Sequence, residues 1–173
     1  MKYGVAFWCL DADGRRLSSP VWPKLQAFRY PPEGRKWWRW SNKGTRGWLV
    51  LEDYSVEFIF RGQHWRFTIR ADFDFDGASI PRLAWSLIGD PLALDIQIAA
   101  LVHDLLFCVH HRNFPLMTAN SLFCAIQQAS GASWAKRQIT TGVVDGVGWT
   151  CWKKSPDDLD KYNALFNAER LPD

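Results

Sequence analysis

The sequence predicts an α+β domain in which an N-terminal antiparallel β-sheet packs on a C-terminal helical cluster. Trp65, Phe67 and Ile69 alternate with Arg66, Thr68 and Arg70, the period of two that gives a sheet one dry and one wet face. After Pro81 the period becomes helical, with Leu92, Ile96, Ala99, Ala100, His103 and Phe107 recurring on one face. Leu101, Val102, Leu105 and Leu106 make the other faces apolar too, so this helix is predicted in the middle of the fold.

Taken in order, Tyr3 to Leu10 reads as a short apolar strand closed by a turn at Asp11-Ala12-Asp13-Gly14. Pro20, Pro23, Pro31, Pro32, Gly34, Gly44 and Gly47 then come too densely for a regular element, which predicts a long Trp/Pro-rich loop over 18–47. Trp48 to Leu51 and Tyr54 to Phe60 read as strands, Arg61-Gly62-Gln63 as a turn, and His64 to Ile69 as the strand that returns. A second helix is predicted from Thr118 to Ser130 with Gly131 as its stop, and a third from an N-cap at Ser133 to Trp149. Gly142 and Gly146 each cost about 1 kcal/mol in helix propensity, and their spacing of one turn predicts close approach to a neighbouring backbone. Ser155-Pro156-Asp157-Asp158 is a helix start, and Leu159, Tyr162, Leu165 and Phe166 would dock a last helix over 155–170.

With 173 residues, 47% of them hydrophobic, the chain can close one substantial core, so residues 1–173 are read as a single domain. Eleven Trp and 11 Phe are many for this length, and they are expected both to dominate the core and to form exposed interaction surfaces. A net charge of +3 falls short of the basic excess that phosphate neutralisation requires, so no nucleic-acid partner is expected. No basic-then-apolar leader follows Met1 and no apolar run reaches about 18 residues, so neither export nor a membrane span is expected. Cys9, Cys108, Cys124 and Cys151 are scattered and never form a Cys-x-x-Cys pair, and they read as buried thiols.

His103 and Asp104 lie inside Ala99-Ala100-Leu101-Val102-His103-Asp104-Leu105-Leu106-Phe107, a stretch that otherwise reads as core. Burying such groups costs several kcal/mol unless each finds a partner. The nearest candidate upstream is the acidic turn Asp76-Gly77-Ala78-Ser79-Ile80-Pro81.

Ile69 to Arg82, Ala99 to Phe107 and Gly142 to Trp149 together resemble an uncharacterised family common in bacteriophage genomes, a domain of unknown function. Its members join an Asp-x-Ala-Ser-Ile/Val-Pro turn to a His-Asp-x-Leu-Tyr helix. The likeness runs roughly from Tyr54 to Trp152, with a family-like core at 48–152, and leaves the Trp-rich N-terminal third outside. Where the family usually shows Arg-x-x-Ala-Asp on the second helix, this chain reads Leu116-Met117-Thr118-Ala119-Asn120, and Phe107 replaces the terminal Tyr. A carboxylate and a phenol are missing. The resemblance implies a phage or prophage protein, made in the bacterial host cytoplasm and carried in the virion if it is a structural component.

The residues allow more than one chemistry. His103 can serve as a base or metal ligand oriented by Asp104 or Asp76, or the same groups can form a buried knot that locks the Asp76 turn onto the helix. Asp72-Phe73-Asp74-Phe75-Asp76-Gly77 opens like a calcium loop, but Leu83 stands where the bidentate carboxylate belongs, and Phe73 and Phe75 suggest a strand end. Ser79 lacks the glycine spacing of a nucleophile elbow. A His-Asp helix followed by a second helix is similar to the layout of phospholipase A2, yet the Gly-rich calcium loop and the second-helix Asp are absent. Arg35, Lys36, Trp37, Trp38, Arg39 and Trp40 interleave cations and indoles, as a binding interface does or as a lid whose charges face water does.

The expected function is therefore a binding or virion-associated role, with the tail as one location, in which the chain docks on other phage proteins without a cofactor. The alternative is a metal-assisted hydrolase of a cell-envelope component, with His103, Asp104 and Asp76 holding zinc or calcium.

Overall fold

The computed structural model describes residues 6–29, 46–60, 62–75, 93–108, 114–151 and 165–172. In chain order these form β1 (Ala6–Cys9), β2 (Leu25–Arg29), β3 (Arg46–Val50), β4 (Tyr54–Phe60), β5 (Gln63–Ile69), β6 (Asp74–Phe75), α1 (Leu94–Cys108), α2 (Leu116–Ala129), α3 (Trp134–Cys151) and β7 (Phe166–Leu171). The strands make a four-stranded sheet ordered β1-β4-β5-β7 and a three-stranded sheet ordered β2-β3-β6. Every strand pair is antiparallel. The α+β expectation holds, with sheets in the N-terminal half and helices in the C-terminal half.

The β4–β5 hairpin pairs from Tyr54↔Ile69 to Phe60↔Gln63. Gly62, at φ 76°, supplies the left-handed residue that the turn needs. Its alternation places Val56, Phe58, Phe67 and Ile69 in the core with no exposure. Phe67 meets Phe58 edge-on at 4.7 Å, Phe166 at 5.0 Å and Phe114 at 5.6 Å. These rings join the hairpin to β7 and to the entrance of α2. Helix α1 buries Ile96, Ile98, Ala99, Ala100, Leu101, Val102, Leu105 and Leu106, the all-round burial that its sequence predicted.

Asp72, at φ 69°, turns the chain from one sheet into the other. Its N–H donates to the Val50 carbonyl at 2.8 Å, and the Val50 N–H donates to the Phe73 carbonyl at 2.9 Å. Phe73 and Phe75 are buried and residues 74–75 pair with β3, the strand end that the two phenylalanines suggested. The Tyr54 hydroxyl donates to the Val21 carbonyl at 2.9 Å, so its contact of 3.0 Å with Cys9 uses the thiol as donor. Burial, then Cys9, pushes this phenol well above its usual range. Tyr54→Phe is expected to cost about 1 kcal/mol, read as a lower urea-unfolding midpoint, because it strips the donor from the segment that leads into β2.

Glu57 lies on the opposite face of β4 yet is buried, covered by Arg16 and Arg66. Burial raises the proton affinity of its carboxyl, but hydrogen bonds and charge from both guanidiniums outweigh this and hold it below the ordinary glutamate range. Asp53 is also held low, first by the Ala71 N–H and then by Arg70. A depressed native pKa contributes stability above the unfolded value and loses it as pH falls through the folded one. Stability is therefore expected to decline below about pH 4, and the decline should be shallower in Asp53→Asn, as measured by urea unfolding across pH.

Three sequence expectations change. The predicted loop over 18–47 contains β2, paired with β3 from Leu25↔Val50 to Arg29↔Arg46, because Pro23 and Pro31 flank this strand and do not interrupt it. The predicted C-terminal helix over 155–170 gives way at its end to β7, which closes the sheet along β5 from Ile69↔Phe166 to His64↔Leu171. Residues 152–164, which carry the helix-start signal, lie outside the described residues. Finally, a Cβ placed on Gly142 or Gly146 meets nothing within 4 Å among the described residues, so the close neighbour predicted there is not found. Cys9 and Cys124 are free thiols, the first buried and the second half-buried.

Candidate functional site

Helices α1 and α2 form an antiparallel pair, so a residue near the end of the first faces one near the start of the second. This geometry sets His103 opposite Asn120, with Nε2 3.0 Å from Oδ1. The α2–α3 corner repeats the arrangement. Gln127 pairs with Thr140, Gln128 with Arg137, and Asn120 with Asp145. Gly131, at φ 84°, makes the turn between these helices, and Ser133 caps the second of them by accepting the Lys136 N–H at 3.3 Å. At this same end of α3, Lys136 binds Asp95 at 2.9 Å and ties the helix to the start of α1.

The result is a polar chain strung across the helices. The Asn120 Nδ2 donates to Asp145 Oδ1 at 2.5 Å, which turns its Oδ1 toward the imidazole. An amide oxygen only accepts, so His103 Nε2 carries the proton and donates. Nδ1 then faces Asp104, whose Oδ1 is 3.9 Å away. Phe123 packs edge-on against the imidazole at 5.5 Å. The charge of the chain stands at its outer end, on exposed Asp145, while Asn120 in the middle is only 5% exposed. A neutral amide there avoids the desolvation cost of a buried carboxylate. It can orient an imidazole, but it cannot take up a proton.

Of the residues singled out from sequence, His103 and Asp104 are adjacent on α1 and largely buried, with side chains 11% and 18% exposed. Asp76 and Ser79 lie outside the described residues, as do Arg35, Lys36, Trp37, Trp38, Arg39 and Trp40. Among the described residues no three His, Cys, Asp or Glu side chains gather to hold a metal. Asp145 was missed as a partner of the site. Its signal was present, since it is the one acid in α3, set among small and apolar residues from Gly142 to Trp149.

Fold and site together define an α+β protein whose helical layer is threaded by a His–Asn–Asp chain. The protein belongs to the family described as a protein of unknown function, DUF1353, which it matches over residues 48–143. That span holds His103, Asp104 and Asn120, and ends just before Asp145. No curated protein and no solved structure matches the chain. No helix among the described residues is long and apolar enough to cross a membrane.

Proposed function

We propose that this chain is a phage or prophage binding protein that docks on other phage proteins as a virion component, its tail included, and that the His103 chain holds its helices together. The observation that carries this reading is the amide at Asn120. An imidazole set up as a general base is ordinarily backed by a carboxylate that stabilises the imidazolium, and here the group bonded to Nε2 is neutral. Large apolar side chains left in solvent supply contact area for partners: Trp134 is 70% exposed, Met117 56% and Trp22 41%. In the sequence, the cations and indoles from Arg35 to Trp40 carry the same binding chemistry.

Mass spectrometry of purified virions should detect the chain. Replacing Trp37, Trp38 and Trp40 together by alanine should remove it from particles while leaving its unfolding midpoint close to the parent's. A monomer absent from purified virions overturns the proposal.

The hydrolase reading keeps one observation in its favour. With Nε2 fixed as the donor, His103 presents Nδ1 toward Asp104, and an imidazole nitrogen beside a carboxylate is a donor pair that zinc or calcium chemistry uses. Metal content of protein purified without chelator separates the two. Stoichiometric metal that is lost in His103→Ala, with the fold intact, selects the enzyme.

A further inference from the structure

A second polar cluster lies on the outer face of the four-stranded sheet, away from the His103 chain. Arg16 Nε donates to Glu57 Oε2 at 2.7 Å, and Arg66 donates to Oε1 through Nη2 at 2.7 Å and Nε at 3.0 Å. The guanidinium of Arg16 also stacks on the Trp8 indole, 4.0 Å from the ring centre. His64 enters this cluster through a single atom. Its Nε2 is 2.8 Å from Arg16 Nη2 and 3.2 Å from Glu57 Oε2.

These two neighbours make incompatible demands on one nitrogen. A guanidinium can only donate, so the short contact to Arg16 requires a lone pair on Nε2. An ionised carboxylate can only accept, so the contact to Glu57 requires a proton on the same atom. The neutral imidazole with its proton on Nδ1 satisfies Arg16 and sets lone pair against lone pair at Glu57. The imidazolium satisfies Glu57 and sets a hydrogen and a positive charge against Arg16.

We propose that His64 is a proton-operated latch on Arg16. A proton taken up at Nε2 becomes the donor to Glu57 Oε2, and the imidazolium drives the Arg16 guanidinium off its seat on Trp8. Other groups facing His64 do not shift in the same way. Ile59 and Leu171 sit directly opposite it on β4 and β7 and carry no charge. Arg66, on the same face of β5, keeps both of its bonds to Glu57 Oε1, and Glu169 stands across from Arg66 on β7. Arg16 is the mobile partner because its side chain is 42% exposed, whereas that of Glu57 is 4% exposed.

The test is a pH titration of the full chain by NMR, following the His64 ring, the Arg16 Nε–H and the Trp8 indole N–H between pH 8 and pH 5. The three signals are expected to move with one common midpoint. In His64→Gln, which is uncharged at every pH in this range, the Arg16 and Trp8 signals should stay still. Arg16 and Trp8 signals that do not move as His64 titrates, or that move equally in His64→Gln, overturn the proposal.

Discussion

Phe67→Ala is expected to lower folding stability by about 3–5 kcal/mol, the range for truncating a fully buried phenylalanine. The size of the effect follows from what the ring touches. It is the common neighbour of Phe58 on β4, Phe166 on β7 and Phe114 ahead of α2. Those three come from distant parts of the chain, so a cavity there loosens the hairpin, the edge strand and the helical layer together. Relaxation around it is limited, because Val56, Phe58 and Ile69 are themselves without exposure. Chemical denaturation should show a reduced midpoint, and hydrogen exchange should rise first along β7. A loss under about 1 kcal/mol would show that the rings at 58, 114 and 166 close over the gap without it.

Asn120→Asp should cost about 2–3 kcal/mol near neutral pH, because it puts a carboxylate in place of a buried amide donor. In the native chain the amide Nδ2 donates to Asp145 Oδ1 at 2.5 Å. A carboxylate at position 120 would set oxygen against oxygen there, and one of the two would have to gain a proton or move away. Adding Asp145→Asn reverses the direction of that bond, with the new amide donating to the new acid, which still accepts from His103. The double variant should recover most of the loss, giving a favourable coupling of about 1–3 kcal/mol in a double-mutant cycle. Additive losses would mean that the three side chains do not act as one chain.

Much of the fold could be read locally. Period two in Trp65–Arg70 and all-round apolarity in Ala99–Phe107 each reflect one element meeting one environment, so the residues themselves carry the signal. Gly131 and Ser133 likewise mark the α2–α3 corner through backbone chemistry that needs no distant partner. What was not legible depends on register between remote segments. Strand β2 is defined by its pairing with β3, and its proline-rich surroundings masked its own alternation. Strand β7 exists because β5 offers an open edge almost a hundred residues earlier, and the helix-start signal at Ser155 says nothing of that edge. The site divides along the same line. His103 announced itself as an imidazole among aliphatic neighbours, and Asn120 through a resemblance read from the sequence, whereas Asp145 joins them only through the α2–α3 register.

The pairing of Arg29 with Arg46 at the far end of the β2–β3 hairpin fixes where the intervening segment departs and returns. Both ends are anchored on a single rung of one ladder, and the entropy of closing a segment at one rung grows only slowly with its length. A short artificial turn spliced across that rung in place of residues 30–45 should therefore yield a folded scaffold.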